Sequence, residues 1–166
     1  MITVLRLGHR RGRDDRISSH VGLTARQFGA DKVIYSGEKD DNMLESLEDV
    51  RDRWGGPFEI TYREDYRRVI KGFDGTSVHL TMYGLPFQEK MDTVREAEDL
   101  LVVVGSQKVP RDVYGLVDHN LAVGHQPHSE VAAVGVFLYE YNGRAISDEF
   151  EDAKIRVEPT ADQKKT

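Results

Sequence analysis

The sequence contains no cysteine, which excludes disulfide bonds and thiolate metal sites. It also contains no apolar run of about 18 residues, and we therefore expect no membrane-spanning segment. The N-terminal stretch places apolar residues before its arginines, whereas a secretory signal carries its basic residues first. Together these absences predict a cytoplasmic protein, and 166 residues are enough for one domain with one core.

Two phosphate-binding motifs are missing as well. The chain has no GxxxxGKS/T loop, and no GxGxxG motif follows its first apolar run. Their absence disfavours the classical folds that bind dinucleotides and nucleoside triphosphates. It also counts against a flavodoxin-like nucleotide-binding module, which we keep as one alternative.

Short apolar runs alternate with amphipathic stretches along the chain. The runs predict strands at Ile2–Leu7, Asp31–Ser36, Phe58–Tyr62, Ser77–Met82, Asp99–Gly105 and Asn120–Gly124. The stretches predict a helix capped by Ser18 or Ser19 that runs to Phe28, and further helices at Asp41–Trp54, Glu64–Phe73, Pro86–Ala97, Pro110–Val117 and His128–Tyr141. Gly29 suits the left-handed residue that ends the first helix. The alternation predicts an α/β fold, in which helices flank a mostly parallel six-stranded sheet.

No repeat, linker or change in composition divides the chain. We expect a single domain over residues 1–150 and a polar C-terminal tail over residues 151–166. The tail has one possible strand, at Lys154–Val157.

The charge of the chain is unevenly distributed. Its net charge of −6 argues weakly against a nucleic-acid partner. The segment from Arg6 to Arg26, however, contains six arginines and two aspartates and carries +4, which leaves −10 on the rest. A local positive surface on an acidic protein can bind phosphates. On charge alone, a solvated and ion-paired arginine loop is an equally good interpretation.

Three loops that combine glycine with proline follow the fourth, fifth and sixth predicted strands. They span Leu80–Pro86, Gly105–Pro110 and Gly124–Glu130. Glycine lets a backbone approach a ligand closely, and proline fixes the turn. Because ligands of open parallel sheets bind beyond the carboxyl ends of the strands, the three loops predict one pocket. Its backbone groups could bind an adenine and a ribose, but the loops alone indicate no specific ligand. One such loop alone would be taken as structural.

Five stretches between Val4 and Ala133 carry a specific resemblance. They read VLRLGHRRGRDDRISSHVGLTARQFGAD, WGGPF, HLTMYG, VVVGSQKVP and VGHQPHSEVAA. In them the chain resembles the archaeal enzymes that methylate the ribose 2′-hydroxyl of cytidine 56 in the tRNA T-loop, a branch of the SPOUT superfamily. The resemblance implies S-adenosylmethionine as the methyl donor and tRNA as the partner. We expect neither a DNA nor a membrane partner.

The wider SpoU-type methyltransferases have three motifs that correspond to positions of this chain. The first has an asparagine six residues before a catalytic arginine, and here these positions are His20 and Arg26. The second is an apolar strand that ends in Gly-Ser-Glu, and here Gly105 is followed by Ser106 and Gln107.

The third motif, Ser-Leu-Asn at the start of a helix, corresponds to Ser129, Glu130 and Val131. Three polar positions therefore depart from the wider pattern, at His20, Gln107 and Val131. The archaeal branch shares the departures at His20 and Val131, and it often has glutamate where this chain has Gln107. Only the contact made by Gln107 is therefore expected to differ from that branch.

The resemblance implies that Arg26 and Ser129 are the catalytic residues. A guanidinium stays protonated in proteins and is therefore a poor general base. We assign Arg26 to fixing a phosphate and stabilising the developing oxyanion, while a phosphate oxygen or water takes the proton. Ser129 is expected to orient the 2′-hydroxyl or the arginine.

The remaining site residues are also implied by the resemblance. The S-adenosylmethionine site is expected to contain Leu80, Tyr83, Gly84, Gly105, Ser106, Gln107, Lys108, Val109, Val123, Gly124, His125, Gln126, Pro127, His128, Ser129 and Glu130. The tRNA is expected to contact Arg6, His9, Arg10, Arg11, Arg13, Arg16 and His20. His125 and His128 are three residues apart but lack a further set of ligands, so we predict no metal site.

The resemblance further implies a deep trefoil knot near the C-terminus and a homodimer. Each active site would be completed by the N-terminal segment of the partner, with the interface on the apolar faces of the first and last helices. Two alternatives keep the same fold. One is a SPOUT 2′-O-methyltransferase that acts on another RNA, and the other is a non-catalytic RNA-binding protein.

Overall fold

The computed structural model describes residues 1–105, 108–147 and 149–166, in which strands and helices alternate in the predicted order. The strands are β1 (Ile2–His9), β2 (Lys32–Gly37), β3 (Glu59–Tyr62), β4 (Thr76–Pro86), β5 (Leu100–Val104) and β6 (His119–Ala122). The helices are α1 (Asp15–Gln27), α2 (Asp41–Trp54), α3 (Tyr66–Lys71), α4 (Met91–Arg95), α5 (Val113–Leu116) and α6 (Glu130–Tyr141), with a short 3₁₀ helix at Phe87–Lys90. None of the helices in these ranges is long and apolar enough to cross a membrane.

The six strands form one sheet in the order β3-β2-β1-β5-β4-β6. Within the described residues every strand pairing is parallel. The predicted α/β fold with a six-stranded sheet is therefore confirmed. The apolar strand β5 is buried along its whole length and pairs with β1 on one side and β4 on the other, as expected of a strand inside a parallel sheet.

Helices cover both faces of this sheet. On one face α1, α2 and α6 bury Val21, Leu47 and Phe137 in the larger core. On the other face α3 and α5 bury Ile70 and Val113 in a smaller core. Because the strands are parallel, the carboxyl ends of β1, β4, β5 and β6 meet at one edge, where the following loops can line a site.

Helix α1 begins earlier than predicted. Its cap residue is Asp14 and its first residue is Asp15, so neither Ser18 nor Ser19 is the cap. Ser18 is instead buried within the helix, where its Oγ lies 2.8 Å from Nδ1 of His9. A serine that looks like a helix cap in the sequence is thus a tertiary hydrogen-bond partner. The helix does end as predicted, because Gly29 has a φ of 90°.

The C-terminal tail returns to the body of the domain. The predicted strand at Lys154–Val157 is wrong, because these residues are in no strand. Instead, the backbone amides of Lys154 and Ile155 donate to the carbonyl oxygen of Arg53 at 3.0 and 3.1 Å. The tail therefore packs against the end of α2.

Candidate active site

A cleft of about 610 Å³ opens at the carboxyl edge of β4, β5 and β6. The predicted cofactor residues in its wall are Leu80, Tyr83, Gly105, Lys108, Val109, Val123, Gln126, Pro127, His128, Ser129 and Glu130. The three loops identified by their glycine and proline content therefore meet in one place. Gly84, Gly124 and His125 are not among the described lining residues, although Nε2 of His125 lies 3.0 Å from the Gly84 carbonyl oxygen. Ser106 and Gln107 lie outside the described residues.

The first loop is an irregularity within β4 and not a turn after it. β4 pairs with β6 at Leu80 and again at Leu85, in both cases opposite Leu121, so residues 81–84 bulge out of the sheet. Gly84 passes so close to β6 that a Cβ there would lie 2.6 Å from the carbonyl oxygen of Asn120. Glycine is therefore required at this position, and the bulge carries the exposed ring of Tyr83 to the cleft.

The cleft wall also contains a buried histidine that the sequence did not single out. Nδ1 of His79 lies 2.9 Å from Oδ1 of Asn120, and Nδ2 of Asn120 donates to the carbonyl oxygen of Tyr114 at 2.9 Å. This second bond orients the amide and so assigns the proton to Nδ1 of the histidine. Nε2 is then an acceptor, buried without a hydrogen-bond partner among the described residues.

His79 is neutral in this setting. Burial lowers its pKa, and the bond to Asn120 only partly opposes that shift. A single histidine inside an apolar strand carries no signal of function in the sequence. Only the pairing of β4 with β6 shows that it belongs to the cleft.

The third loop ends at the N-terminal cap of α6. Oγ of Ser129 accepts the backbone amide of Val131 at 3.2 Å. Glu130 follows, and its Oε1 accepts from Nη2 of Arg6 at 2.9 Å. Burial raises the pKa of Glu130, while the charge of Arg6 opposes this shift. The cap and the ion pair together fix the start of α6 against β1.

Two of the residues predicted to contact tRNA are buried. Arg6 is 1% exposed and is held by Glu130. His9 is also 1% exposed, and its ring contacts Ser18 and Asp40. The prediction that Arg6 and His9 lie on an RNA-facing surface is therefore wrong. Both belong to β1, which runs through the interior of the sheet, and each is stabilised there by polar partners from other segments.

The other basic residues of this segment remain accessible. Those that are exposed are Arg11, Arg13, Arg16 and His20. Arg10 is half-buried and forms a two-pronged ion pair with Asp14, at 2.9 and 3.0 Å. Arg11 and Arg16 line an open depression of about 650 Å³ between α1 and α2. Phosphate binding at this surface stays a prediction.

His9 also belongs to a cluster with the donor set of a metal site. One ligand atom each from His9, Asp15 and Asp40 lies within 4.8 Å of the others. Contacts within the protein already engage these atoms, because Nε2 of His9 lies 3.3 Å from Asp40 and Asp15 accepts the Gly12 amide at 2.7 Å. We interpret the cluster as a polar contact that joins β1 to the start of α2.

Comparison with known proteins identifies the family. The family model of the tRNA ribose 2′-O-methyltransferase aTrm56 matches residues 54–166. The chain belongs to this family. The tRNA (cytidine(56)-2′-O)-methyltransferases of Methanopyrus kandleri and Pyrococcus horikoshii are 53% and 51% identical to it, over 98% and 99% of this chain and 93% and 84% of theirs. The membership predicted from the motifs is confirmed.

Solved structures with the same fold come from SpoU methyltransferases. A TrmH/SpoU tRNA-modifying enzyme of A. aeolicus superposes with a TM-score of 0.66 at 14% identity, covering 86% of this chain and 74% of that one. The SpoU methyltransferase AviRb of Streptomyces viridochromogenes, in complex with AdoMet, gives 0.62 at 13% identity, covering 85% and 56%. At these identities the likeness shows that this chain has the fold of this class.

In this aTrm56 family member the two predicted catalytic residues lie at opposite edges of the sheet. Helix α1 starts beyond the carboxyl end of β1 and returns toward the start of β2, so Arg26 lies at the amino edge. The end of α6 lies beside it, where Nδ2 of Asn142 donates to the Phe28 carbonyl oxygen at 2.8 Å. Ser129 lies at the other end of this 12-residue helix, about 18 Å away. One chain alone does not bring Arg26 and Ser129 together.

Proposed function

We propose that this chain transfers a methyl group from S-adenosylmethionine to the 2′-oxygen of cytidine 56 in the T-loop of tRNA. The observation that carries the proposal is the meeting of three loops at the carboxyl edge of the sheet, in a chain of the aTrm56 family. Relatives that are about half identical along nearly the whole chain bear the name of this activity.

The cleft suits the methyl donor in size and in kind. Its volume of about 610 Å³ lies within the range of small-molecule sites. The backbone at Leu80, Gly105 and Val123 would hold the adenine and the ribose, and Nε2 of His79 offers an acceptor without a donor among the described residues. When bound, S-adenosylmethionine supplies an electrophilic methyl carbon on a sulfonium.

The protein must hold the ribose and compensate the charge that develops on it. The 2′-oxygen has to lie in line with the methyl carbon and lose its proton as the bond forms. Ser129, in the cleft wall, orients this hydroxyl. Arg26 fixes the neighbouring phosphate and stabilises the negative charge on the oxygen. Burial lowers the pKa of Arg26, but its guanidinium stays protonated, so a phosphate oxygen or water accepts the proton.

The distance between Arg26 and Ser129 favours a homodimer. In such a dimer the Arg26 of one copy completes the cleft of the other. Val136 on α6 is 45% exposed, and Leu23 is half-buried on α1, the helix that packs against α6. Two copies related by a twofold axis through α1 and α6 would bury these side chains. The end of α1 in one copy would then lie near the start of α6 in the other.

The remaining parts of the proposal concern tRNA, topology and location. The exposed side chains of Arg11, Arg13 and Arg16 hold phosphates of the tRNA. A trefoil knot near the C-terminus agrees with the contact between His125 and Gly84, which joins the loops after β6 and within β4. The cytoplasm is the compartment in which such an enzyme meets its tRNA.

Calorimetry with S-adenosylmethionine, followed by methyl transfer to a tRNA transcript, tests the proposal. We expect saturable binding of the cofactor and transfer of one labelled methyl group per tRNA, mapped by nuclease digestion to cytidine 56. The matched control is a transcript with 2′-deoxycytidine at position 56, which should accept no label. Methyl transfer at another ribose would favour the alternative of a different RNA substrate. No cofactor binding at millimolar concentration would favour a non-catalytic RNA-binding protein.

A further inference from the structure

The turn that follows α2 carries two adjacent glycines in the left-handed region. Gly55 and Gly56 have φ values of 81° and 90°. A Cβ on Gly55 would collide with the carbonyl oxygen of Glu151, and a Cβ on Gly56 would lie 2.7 Å from Cδ1 of Phe150. Any side chain at either position would therefore displace the C-terminal tail. The C-terminal tail therefore packs directly on Gly55 and Gly56, and we call this contact surface the seat.

Hydrogen bonds hold the tail on this seat. The amide of Gly56 donates to the carbonyl oxygen of Glu151 at 2.8 Å. On the near side, Nε2 of Gln27 donates to the carbonyl oxygen of Ser147 at 3.0 Å. Phe150 is thereby placed between the turn and the last residues of α1.

Arg26 lies between this glycine turn and the ring of Phe150. Its Nη2 donates to the carbonyl oxygen of Gly55 at 2.5 Å, and its guanidinium carbon lies 4.1 Å from the centre of the Phe150 ring. The side chain is 8% exposed, and its Nε is buried without a hydrogen bond among the described residues. An arginine held by one carbonyl oxygen and one aromatic face has a fixed guanidinium plane with donor capacity to spare.

We propose that the Gly55 carbonyl oxygen and the Phe150 ring, together the Arg26 cage, position the guanidinium of Arg26 for methyl transfer. This inference rests on the proposed function, in which Arg26 stabilises the charge that develops on the 2′-oxygen. Phe150 and Gly55 are positioning residues, because they act through Arg26. The physical gain is preorganisation, since a free arginine side chain would have to be ordered in each turnover, whereas a caged one is already oriented.

The cage also gives a role to two features of the sequence that the cofactor cleft leaves unexplained. The WGGPF stretch supplies the two glycines of the seat and the carbonyl oxygen that binds Arg26. Phe150, which directly precedes the polar tail, supplies the aromatic ring. Both features therefore serve one side chain, at the edge of the sheet opposite the cleft.

The test compares Phe150→Leu, which removes the aromatic face but keeps an apolar side chain, with Phe150→Trp, which restores an aromatic face. The control is Ile146→Ala, an exposed residue shortly before the tail. Single-turnover and steady-state methyl transfer from labelled S-adenosylmethionine are measured with the full chain, together with the melting temperature. For Phe150→Leu we expect kcat to fall about tenfold, or about 1.4 kcal/mol of transition-state stabilisation. The KM for the methyl donor should stay within about twofold, and Phe150→Trp should recover most of the rate.

The deciding measurement repeats Phe150→Leu in a chain that already carries Arg26→Ala. A positioning residue has nothing left to position there, so we expect no further loss of rate. Equal losses in both backgrounds would overturn the inference, because they would mark a purely structural role. A gain of activity in Phe150→Leu would also overturn it, since the tail would then cover Arg26 as an inhibitor.

Failure of the inference can be told apart from failure of the proposed function. If Arg26→Ala lowers kcat by about a hundredfold while Phe150→Leu does not change it, only the cage is refuted. If Arg26→Ala keeps full activity, the catalytic assignment of Arg26 fails together with the cage.

Discussion

The sequence predicts a function for two regions, the loops of the cleft and the basic N-terminal segment, and the outcome in the structure differs between them. The loops at Leu80, Gly105 and Val123 converge in one cleft as predicted. The basic segment divides instead, with Arg6 and His9 in the interior and Arg11 and Arg13 at the surface. The two regions adjoin each other, because Arg6 holds Glu130 in the cleft wall.

The two regions differ because the place of a loop and the exposure of an arginine side chain are determined by different contacts. A loop that follows a strand of a parallel sheet must emerge at the carboxyl edge, so its place follows from the order of strands and helices alone. The exposure of an arginine depends on whether a distant residue neutralises it. Arg6 is buried because the carboxylate of Glu130, 124 positions away in the chain, accepts a hydrogen bond from its guanidinium and neutralises its charge. Clusters of like charge are therefore weaker guides to a surface than loops after strands.

The largest expected effect comes from breaking the Arg6–Glu130 pair. Arg6→Met leaves the Glu130 carboxylate without its partner in a mostly buried position, where Glu130 retains 17% exposure of its side chain. We expect the free energy of unfolding to fall by about 3 kcal/mol. Urea unfolding at neutral pH measures this change.

The matched control is the double variant Arg6→Met with Glu130→Leu, which replaces the pair by apolar groups. It should be more stable than the single variant, because no uncompensated charge remains. A loss below about 0.5 kcal/mol in Arg6→Met would contradict the buried position of the guanidinium. Arg6 would then have to be assigned to the accessible arginines, together with Arg11 and Arg13.

The fold was predictable because its signals are local. The apolar run that became β5 and the left-handed Gly29 can each be interpreted from a few neighbouring residues. The incorrect predictions all depend on tertiary contacts. Ser18 looked like a helix cap, but its hydroxyl contacts His9 from inside α1, and the helix begins at Asp15. No local pattern reports such a partner.

The candidate site was predictable only in part, for the same reason. The glycine and proline loops revealed the cleft, but His79 is one polar residue in a buried strand and became visible only through its pairing with Asn120. The place of Arg26 under Phe150 depends on a contact between residues 124 positions apart. Its family motif indicated that Arg26 matters, but the motif says nothing about the residues that hold it.

The next largest effect separates the accessible arginines from one another. Arg13 is exposed, whereas the guanidinium of Arg10 is already engaged by Asp14 through two hydrogen bonds. We expect Arg13→Ala to weaken tRNA binding about tenfold at low salt. It should also reduce the slope of log K against log salt concentration by about one unit, as for the loss of one phosphate contact. Filter binding at four or more salt concentrations measures both quantities.

Arg10→Ala serves as the comparison within the same segment. Because Asp14 competes for its donors, Arg10→Ala should change the slope by less than half as much as Arg13→Ala does. Equal changes in slope for the two variants would show that accessibility in the free chain does not decide which arginines bind tRNA.

The smallest expected effect concerns the cleft wall alone and tests its buried histidine, His79. Burial lowers the pKa of His79 below its ordinary value, so the unfolded chain takes up a proton there at a higher pH than the folded chain does. Stability from this group is therefore fully present above about pH 6.5 and is lost as the pH falls toward the lowered pKa of the folded state. The loss is at most about 1.4 kcal/mol per pH unit.

Urea unfolding between pH 7.5 and pH 5 measures this loss. We expect His79→Phe, which keeps an aromatic ring beside Tyr114, to be less sensitive to acidification than the unsubstituted chain. If His79→Phe loses stability in parallel with the unsubstituted chain, the histidine is not held neutral by burial. Its Nε2 would then not be the bare acceptor that the bond to Asn120 assigns to the cleft.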